Sequence, residues 1–572
     1  MRPTLPVGAL AASVQATTVT NDTSVAANRT FDYVVVGAGL TGITVANKLS
    51  EQGFSTLIIE AGPDARWNNR VYNAEDRVQH DPYCNWLYPA YDEDGSLLPA
   101  TIDSGACIGG STSINGMMWL RPTQTEVDKL EALGNPGWNW DSLEPYMAAT
   151  ERNTPPDAAQ RAEGAGLDPE VHGFNGHINV SFPIPMRIPG AVKLYKEALP
   201  LAFPGLTIGN DLSNRSSDGT VSASSSWTIW YDSSTGEHRR SSAADGYLWA
   251  PEEQRDTLTV LANHKVDKIL FGDDFAARSV VFGTKPGADV PGSLPGLQVV
   301  HANKEVILAA GFLASTSVLE RSGVGSPGFL AAAGIEVLVD LPGVGVNLVD
   351  QPGTGTSALV AEAYQNDTSI IDRRNFFAPE LSLVNINQIW GAESSDFYSQ
   401  LTSPDNLEAR AQELVAAGGA ATLEGAKVIL NTTIDLIVNH DYKFDQDVAV
   451  AVSRLSRTLF ASAPFEQVVA DPYYDPPIGL NGTVAEWLAW FKSTSYGASH
   501  WVGSTAMLPR DLGGVVDSKL QVYGTKNLRV VDAGILPFEI TSHPMPLLYS
   551  VAQKAAALIL DDSLIEQVHY AS

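Results

Sequence analysis

Cysteine is nearly absent from this chain: its 572 residues include only Cys84 and Cys107. Two cysteines cannot build a cysteine-rich disulfide framework or a cysteine-based zinc site, and no metal centre is expected. Basic residues are also few, with 36 Lys and Arg against 65 Asp and Glu, so the formal net charge is −29. This charge excludes nucleic acid and anionic lipid as expected partners. No apolar run reaches eighteen residues, so the sequence predicts no membrane-spanning helix.

Apolar residues, by contrast, make up 44% of the chain, which is enough for a large core and more than one domain. Residues 1–30 lack periodicity and predict a loose N-terminal arm. Its start, MRPTLPVGALAASVQATT, resembles a short signal peptide or a remnant of one. Glycosylation motifs occur at Asn21, Asn28, Asn179, Asn214, Asn366, Asn431 and Asn481. This pattern favours a secreted glycoprotein.

The segment FDYVVVGAGLTGITVANKLSEQGFSTLIIEAG predicts one βαβ unit. Phe31–Val36 and Thr56–Glu60 are short apolar runs typical of buried strands, and Thr41–Gln52 has helical spacing. Further strands are expected within 256–271, 297–311 and 527–537, and a strand of a different sheet within 171–182. Because strands of this character occur near both ends of the chain, we expect a nucleotide-binding domain assembled from distant segments.

The turn between the first strand and the helix has the GxGxxG pattern of a dinucleotide site. Gly37 permits the tight turn, Gly39 allows backbone to approach a pyrophosphate, and Gly42 allows close packing of helix and strand. Leu40 and Thr41 begin the helix, whose N-terminus favours phosphate. A glycine turn without a ligand is the alternative interpretation.

Two further features fit a bound dinucleotide. Glu60 ends the second strand, where its carboxylate can accept hydrogen bonds from a ribose diol. A second loop rich in glycine and hydroxyl groups follows, GGSTSINGMM from Gly109 to Met118. Its backbone amides and the Asn115 side chain can approach the same cofactor, although an ordinary surface loop would also have this composition.

Several stretches together resemble the glucose–methanol–choline (GMC) oxidoreductase family. They are VVVGAGLTGITVANKLSE with EAGP, CIGGSTSINGMMWLRPT, KEVILAAGFLASTSVLERSGVG, LPGVGVNLVDQP, and the C-terminal region that begins GASHWVGSTAM. The resemblance runs from about Phe31 to Leu560 and implies that the nucleotide is FAD.

The resemblance also implies an α/β fold of two interleaved domains. A Rossmann-like FAD-binding domain is expected at 31–170, 232–350 and 500–572. An α+β substrate-binding domain, with an antiparallel sheet flanked by helices, is expected at 171–231 and 351–499.

The family motifs assign cofactor contacts to this chain position by position. They are Gly37, Gly39, Leu40, Thr41, Gly42, Glu60, Gly110, Ser111, Asn115, Gly116, Met117, Val266, Asp532 and Ala533. Some family members bind FAD covalently through a histidine just before the asparagine that corresponds to Asn115. This chain has Ile114 there, so non-covalent FAD is expected.

Two histidines match the catalytic pair of the family, His500 in ASHWVGST and His543 in Ser-His-Pro. Alcohol oxidation requires removal of the hydroxyl proton as hydride leaves the carbon. Neutral imidazole suits this task because its ordinary pKa lies near 6.5. His500 is therefore predicted as the proton acceptor and His543 as the residue that hydrogen-bonds the substrate oxygen.

The substrate is less well defined by these motifs. HWVGST resembles the flavin domain of cellobiose dehydrogenases, and other stretches resemble fungal glucose dehydrogenases and oxidases. Those glucose enzymes hold the sugar with Arg and Asn, where this chain has Tyr496 and Ala498. Tyr496 and Trp501 are the predicted substrate contacts, since aromatic rings stack on sugar faces or aromatic alcohols. We expect oxidation of a sugar hydroxyl at the anomeric carbon, with oxygen or a quinone as electron acceptor.

Alternatives remain open at this point. An aryl-alcohol or primary-alcohol oxidase would use the same histidine pair, and an FAD-containing hydroxynitrile lyase or a binding protein without cofactor would not oxidise alcohols. A single disulfide between Cys84 and Cys107 is expected from the extracellular interpretation and from the resemblance, with free thiols as the alternative. His172 and His177 are expected to be structural or exposed.

Overall fold

The computed structural model describes residues 16–76, 82–91, 95–203, 207–209, 211–214, 221–285, 294–367, 369, 380–383, 395, 399, 402–439 and 446–570. The helices within these ranges are α1 (Leu40–Glu51), α2 (Asn69–Tyr72), α3 (Gln124–Ala132), α4 (Trp140–Thr150), α5 (Ala158–Ala162), α6 (Gly190–Ala202), α7 (Ala314–Arg321), α8 (Pro327–Ala332), α9 (Pro404–Ala416), α10 (Leu423–Asn439), α11 (Gln446–Phe460), α12 (Ala463–Glu466), α13 (Val484–Thr494) and α14 (Met545–Tyr570).

The strands within the same ranges are short. They are β1 (Thr18–Thr20), β2 (Thr30–Val36), β3 (Thr56–Ile59), β4 (Asn85–Tyr91), β5 (Leu97–Gly105), β6 (Met118–Trp119), β7 (Glu151–Asn153), β8 (Ile178–Val180), β9 (Thr207–Ile208), β10 (Val221–Ser224), β11 (Ser226–Trp227), β12 (Ile229–Asp232), β13 (Glu237–Arg240), β14 (Leu258–Leu261), β15 (His264–Phe271), β16 (Ala277–Thr284), β17 (Gln298–Leu308), β18 (Val324–Gly325), β19 (Val339–Asp340), β20 (Pro352–Gly353), β21 (Ser357–Val360), β22 (Glu380–Leu383), β23 (Val469–Asp475), β24 (Tyr496–Gly497) and β25 (Leu528–Val530).

One eight-stranded sheet organises the molecule, with the order β1-β14-β3-β2-β17-β16-β15 and with β25 paired to β17. The pairs from β1 to β17 and the β17–β25 pair are parallel, whereas the β17–β16 and β16–β15 pairs are antiparallel. The apolar strands β2 and β3 lie in the middle of the parallel part, where both faces are buried. The predicted βαβ unit therefore forms the centre of the sheet.

The helix of that unit packs on both the sheet and the C-terminal helix. One face of α1 includes Ile43, Ala46 and Leu49, and all three side chains are fully buried. The helix contacts β2, β3 and α14, so the two ends of the chain share one core. This core includes strands from the segments predicted near residues 256–311 and 527–537.

The N-terminal arm is only partly as predicted. Thr18–Thr20 pairs in parallel with Thr259–Leu261 and forms the edge of the main sheet, so the loose arm predicted at 1–30 is wrong for these residues. The alternation of threonine with valine gives a β-branched segment that fits an edge strand. The signal-like residues 1–15 lie outside the described residues.

Strands from the remaining segments form small separate sheets. The strand predicted within 171–182 is the short β8, which pairs with β7 and not with the main sheet. In the part that was predicted as a substrate-binding domain, β10 lies between β22 and β9. It is antiparallel to β22 but parallel to β9, so this sheet is mixed and not purely antiparallel as expected. Much of 370–401 lies outside the described residues.

Candidate active site

The glycine turn between β2 and α1 is tightly packed by backbone. Gly37 has φ of +102°, and a Cβ built on it would lie 2.6 Å from the carbonyl oxygen of Ala309. A Cβ on Gly42 would lie 2.1 Å from the carbonyl oxygen of Gly37. A Cβ on Gly39 would meet nothing closer than 3.9 Å, so this glycine leaves open space beside the turn. This matches the predicted steric roles of the three glycines.

The first turn of α1 opens toward a cavity. Gly39 is the N-cap and provides no side-chain acceptor for the free N–H groups of this turn. Leu40 and Thr41 line the same cavity, whose volume is about 940 Å³. A helix N-terminus with uncapped N–H groups is a favourable position for the phosphates of a dinucleotide.

Glu60 lies on the cavity wall at the end of β3. Its two carboxylate oxygens accept hydrogen bonds from the backbone N–H groups of Ala38 and Gly62, each at 2.7 Å. Burial raises the pKa of Glu60, and these two amide donors oppose that shift. The carboxylate is thus held in one orientation, in which its remaining lone pairs can accept from ribose hydroxyls. Val266 lines the same cavity from β15.

The second glycine-rich loop packs directly on the first. Gly110 has φ of +54°, and a Cβ on it would lie 2.7 Å from the Cα of Gly39. The two loops thus approach most closely at glycines, the backbone N–H of Gly109 also donates to the carbonyl oxygen of Ala38, and both loops line the cavity. The loop residues predicted as cofactor contacts that also line it are Gly110, Ser111, Asn115, Gly116 and Met117.

Asn115 is oriented by a residue that sequence reasoning missed. The buried Arg240 guanidinium donates to the side-chain and backbone oxygens of Asn115, each at 2.8 Å, and also to the backbone of Val71 and Thr112. Since the Asn115 oxygen is occupied, its NH₂ group is turned away from Arg240 and lies 3.5 Å from the Met545 sulfur. No motif of the sequence marks Arg240, because its role follows from contacts between distant segments.

Ile114 lines the cavity just before Asn115 and packs in a buried cluster that includes Cys84 and Cys107. Its side chain has no nucleophilic atom, so a covalent bond to a flavin at this position is chemically excluded.

The pair Asp532–Ala533 closes the cavity near α7. The Asp532 carboxylate accepts hydrogen bonds from the Ser315 hydroxyl at 2.6 Å and from the backbone of Gly311 and Gly534 at 3.0 and 2.9 Å. Burial raises the pKa of Asp532 while these donors oppose the shift. Asp532 therefore fixes the loops, and both it and Ala533 line the cavity.

The two predicted catalytic histidines meet at the other end of the same cavity. The rings of His500 and His543 are 4.9 Å apart, centroid to centroid, and nearly perpendicular at 71°. Both line the cavity that begins at the glycine turn. The fold thus brings together two residues that are forty-three positions apart, at the far end of the chain from that turn.

His500 is held through both its backbone and its ring. The Asp350 carboxylate accepts from the backbone N–H groups of Ser499 at 3.0 Å and of His500 at 2.7 Å. The ring nitrogen Nδ1 of His500 lies 2.8 Å from Oε1 of Gln351. Ser499 has φ of 62°, which is uncommon for a residue other than glycine and shows that the backbone turns sharply before the histidine.

Burial is the main electrostatic influence on the pair. It lowers the pKa of His500 to about 3, with a further contribution from His543, and it lowers the pKa of His543 to about 4. Both rings are therefore neutral near pH 7, which is the state that a proton acceptor requires. The nitrogen Nδ1 of His543 is buried and has no hydrogen-bond partner among the described residues.

The predicted substrate contacts lie beside the histidines. Trp501 stacks on Phe312, with ring centroids 5.8 Å apart and an interplanar angle of 16°. Tyr496 is 61% exposed and packs over Gly353 on the neighbouring strand, where a Cβ would lie 2.7 Å from the tyrosine ring. Tyr496, Ala498 and Trp501 all line the cavity.

The structure differs from the predicted disulfide. Cys84 and Cys107 are both free thiols, although they are buried in the same cluster and hydrogen-bond to each other. The contact with Cys84, together with burial, raises the pKa of the Cys107 thiol well above its ordinary value. The two residues are thus neighbours, as the prediction required, but they do not form a disulfide.

The remaining histidines of the sequence analysis have structural contacts. His172 lies between the carboxylates of Glu151 at 2.8 Å and Asp211 at 3.1 Å, and His177 stacks on Tyr247 with centroids 4.2 Å apart. Although burial opposes it, hydrogen bonds to Asp211 and Glu151 raise the pKa of His172 to about 9. No metal-binding group of three or more side chains occurs among the described residues.

These features define a class of protein. A glycine turn at a helix N-terminus, a fixed acidic residue for the ribose and a neutral histidine pair share one cavity, which is the arrangement of a dinucleotide-dependent oxidoreductase that removes a hydroxyl proton. Gly39 leaves open space beside the uncapped N–H groups of the helix, as a pyrophosphate requires. When bound there, FAD supplies the oxidant that accepts the hydride.

Comparison with known proteins identifies the family. The two family models for GMC oxidoreductases match residues 31–353 and 429–552, so this chain belongs to the GMC oxidoreductase family. It is an FAD-dependent oxidoreductase that acts on CH–OH groups.

Individual relatives agree with this assignment. The chain is 30% identical to glucose oxidase 2 of Penicillium expansum, over 96% of this chain and 95% of the relative. It has the fold of an FAD-dependent oxidoreductase from Chaetomium thermophilum, with a TM-score of 0.79 and 23% identity over 93% of this chain and 99% of that one. A fungal aryl-alcohol oxidase has a TM-score of 0.76 and 22% identity over the same shares.

In the residues that the structure describes, no helix is long and apolar enough to cross a bilayer.

Proposed function

We propose that this enzyme oxidises a sugar or oligosaccharide hydroxyl at the anomeric carbon and releases a lactone. The observation that carries the proposal is the position of Tyr496 and Trp501 in the cavity wall beside His500. An exposed aromatic ring next to a hydroxyl-proton acceptor is suited to stack on the apolar face of a sugar. The 30% identity to a glucose oxidase supports the same substrate class.

The chain's own residues divide the reaction between them. His500 accepts the proton of the substrate hydroxyl, and His543 hydrogen-bonds the same oxygen and orients it. FAD, held by the glycine turn, Glu60 and Asn115, would supply the acceptor for the hydride of the substrate C–H bond, so that a carbonyl would remain on the carbon. Burial lowers the pKa of both histidines and so keeps the acceptor nitrogen unprotonated.

A second candidate substrate is an aryl or primary alcohol, which would give an aldehyde. The observation in its favour is that Tyr496 and Ala498 stand at the positions where the glucose enzymes of the family carry Arg and Asn. The stacked pair of Trp501 and Phe312 would also accommodate an aromatic ring. The fold is shared with an aryl-alcohol oxidase.

The two candidates are separated by anaerobic flavin reduction. Purified yellow enzyme is mixed with glucose, cellobiose, xylobiose or a benzylic alcohol, and bleaching of the flavin absorbance is followed. We expect the sugars to bleach the flavin fastest and to yield a lactone. Reduction by the benzylic alcohol alone would reject the carbohydrate proposal, and reduction by none of the four would reject both candidates.

The electron acceptor is identified with the reduced enzyme from the same experiment. We propose oxygen or a quinone, because both accept electrons from reduced flavin. Reoxidation rates in air-saturated buffer and with benzoquinone under argon, measured side by side, separate an oxidase from a dehydrogenase.

We also propose that the protein is secreted and carries N-glycans. The support is the exposure of most glycosylation motifs: Asn21, Asn28, Asn366, Asn431 and Asn481 are exposed, and Asn179 and Asn214 are half-buried. In particular, Asn179 lies in β8 and its side chain is 3.5 Å from the Ser241 hydroxyl. Peptide mapping of protein from the culture medium of a eukaryotic host should find glycans on the exposed group and an unmodified Asn179.

A further inference from the structure

We propose that Gln351 is a positioning residue that sets the tautomer of His500, and that the two catalytic histidines are held in opposite neutral tautomers. His500 then has a free lone pair on Nε2, and His543 carries its proton on Nε2. Only the roles of these tautomers in catalysis rest on the proposed alcohol oxidation. The tautomers themselves follow from hydrogen bonds in the protein.

The orientation of the Gln351 amide is determined by its neighbours. Its nitrogen Nε2 contacts the backbone carbonyl oxygens of Ile540 and Ser542, the second at 3.1 Å. Carbonyl oxygens only accept hydrogen bonds, so the NH₂ group must be the part of the amide that faces them. A reversed amide would place oxygen against two oxygens. The Gln351 oxygen therefore faces Nδ1 of His500.

This orientation assigns the proton on His500. The distance from Gln351 Oε1 to His500 Nδ1 is 2.8 Å, and an amide oxygen cannot donate. The hydrogen bond therefore forms only when Nδ1 carries the proton. In a neutral ring the other nitrogen, Nε2, is then unprotonated and can accept a proton. Gln351 thus selects the one neutral tautomer in which His500 is a base at Nε2.

The surroundings of His543 favour the opposite tautomer. Its Nδ1 is buried and has no hydrogen-bond partner in the described part of the chain. A proton on Nδ1 would create a buried N–H donor without an acceptor, which native proteins rarely contain. With the proton on Nε2, Nδ1 is only an unused lone pair. His543 is therefore a donor at Nε2, which suits a residue that holds the substrate oxygen.

These assignments apply to neutral rings, and both rings are neutral near pH 7 because burial lowers the pKa of each. The carboxylate next to His500, Asp350, is occupied by backbone N–H groups and not by a ring nitrogen. Two other acidic groups lie in this region: Glu126, whose carboxylate accepts from the backbone N–H and hydroxyl of Thr541, and Glu539. Burial raises the pKa of both, for Glu539 well above its ordinary value. In the part of the chain that the structure describes, no carboxylate is paired with the ring of His500 or His543.

Gln351 also connects the two histidines. Its oxygen binds the ring of His500, while its nitrogen binds the backbone of Ile540 and Ser542, the latter being the residue before His543. One side chain thus sets the proton position of the base and the position of the segment that carries its partner.

The direct test is ¹⁵N NMR of the oxidised holoenzyme with ¹⁵N-labelled histidine, in which the two ring nitrogens of each tautomer have distinct shifts. Signals are assigned by their loss in His500→Asn and His543→Asn. We expect His500 to be protonated on Nδ1 and His543 on Nε2 at pH 7. A wild-type His500 protonated on Nε2, or both rings in the same tautomer, would overturn the proposal.

The second test removes the acceptor with Gln351→Met, which keeps the length of the side chain. We expect His500 to lose its single tautomer. Flavin reduction at saturating alcohol should slow by about 10- to 100-fold, which is less than the full rate loss on removing a general base. FAD content and KM should stay within about twofold. Unchanged NMR signals and rate in a folded variant would contradict the role of Gln351.

Two further variants separate positioning from stability. In Gln351→Glu an acceptor oxygen remains for Nδ1 of His500, but the second oxygen faces the carbonyl oxygens of Ile540 and Ser542, so the rate should recover only in part relative to Gln351→Met. The fall in the rate of flavin reduction at acid pH should also begin at a higher pH in Gln351→Glu, because a carboxylate favours the imidazolium form of His500. The matched control is Gln160→Met, since Gln160 is also buried and donates to two backbone carbonyls, of Phe182 at 3.1 Å and Pro183 at 3.0 Å.

The control should lose stability but keep the rate of flavin reduction and the wild-type NMR signals of His500. If no sugar or alcohol reduces the flavin, the proposed function fails while the NMR result still decides the tautomers. If Gln351→Met does not fold, the wild-type spectrum and Gln351→Glu decide the proposal alone.

Discussion

The two ends of the cavity are built in different ways. At the phosphate end, a continuous stretch of about thirty residues provides backbone N–H groups, three glycines and one carboxylate. At the histidine end, the groups come from residues 350–351, 496–501 and 540–543, and their side chains position one another. The first end depends on the absence of side-chain atoms, and the second depends on side chains of the right kind at the right distance.

The largest effect is expected from adding one methyl group at the phosphate end. In Gly42→Ala the new Cβ would lie 2.1 Å from the backbone carbonyl oxygen of Gly37, so the turn itself would have to move. We expect loss of FAD and of most folded protein, measured by the ratio of flavin to protein absorbance. Gly328→Ala is the control, because a Cβ there meets nothing within 4 Å. Full flavin content in Gly42→Ala would show that the turn is more adaptable than the structure indicates.

Removing the proton acceptor should leave the phosphate end intact. In His500→Ala we expect flavin reduction to slow by about 10²- to 10⁴-fold, as for other general bases, with FAD still bound. Stopped-flow reduction at saturating substrate measures the rate, and the visible spectrum measures the cofactor. His301→Ala provides the comparison, since His301 is exposed and its ring binds the Ser279 hydroxyl. A rate near wild type in His500→Ala would remove His500 from the mechanism.

The pH profile distinguishes buried histidines from exposed ones. Burial lowers the pKa of His500 to about 3 and of His543 to about 4, so protonation of the pair should begin only near the upper value. We expect the rate of flavin reduction to be flat from pH 8 to 5 and to fall as pH approaches 4. A fall centred near pH 6.5 would indicate ordinary, solvated imidazole.

The pKa of His172 is shifted in the opposite direction from those of the catalytic pair, and the shift affects the stability of the fold. Its pKa is raised to about 9 by hydrogen bonds to carboxylates, against burial, so the folded state binds this proton more tightly than the unfolded chain does. The contribution to stability is fully present below pH 6.5 and is lost as pH rises through 9. The wild-type unfolding midpoint in urea should therefore decline between pH 7 and 9.5 more steeply than that of His172→Gln.

The smallest effect is expected at the rim, where Tyr496 is 61% exposed. Tyr496→Ala removes a stacking surface but none of the groups that move protons. We expect KM to rise several-fold with kcat nearly unchanged, because binding of an exposed face is lost equally before and during the reaction. Steady-state kinetics with the best sugar from the screen measures both constants. A large fall in kcat would show that Tyr496 positions the reacting carbon.

The difference between the two ends explains what could be predicted. The βαβ unit, the glycine roles and Glu60 follow from local pattern, because thirty neighbouring residues contain the whole motif. His500 and His543 could be named only through resemblance to a family, since a lone histidine beside a tryptophan has no local signature. Arg240 and Gln351 were missed altogether, because their roles depend on partners that lie more than one hundred residues away in the chain.

Two expectations failed for related reasons. The edge strand at Thr18–Thr20 depends on pairing with Thr259–Leu261, which short-range periodicity does not reveal. The pair Cys84 and Cys107 was correctly expected to be close, but proximity alone does not determine whether two thiols are oxidised.

The sequence by itself determined the backbone geometry of the phosphate end, because a glycine at a crowded turn is required whatever the rest of the chain does. It also determined that Ile114 offers no atom for a covalent flavin. Only the tertiary structure decided which nitrogen of each histidine carries a proton. That choice depends on the amide of Gln351 and on the absence of an acceptor near His543 among the described residues. Tautomers are set by neighbours in space, and no pattern along the chain records them.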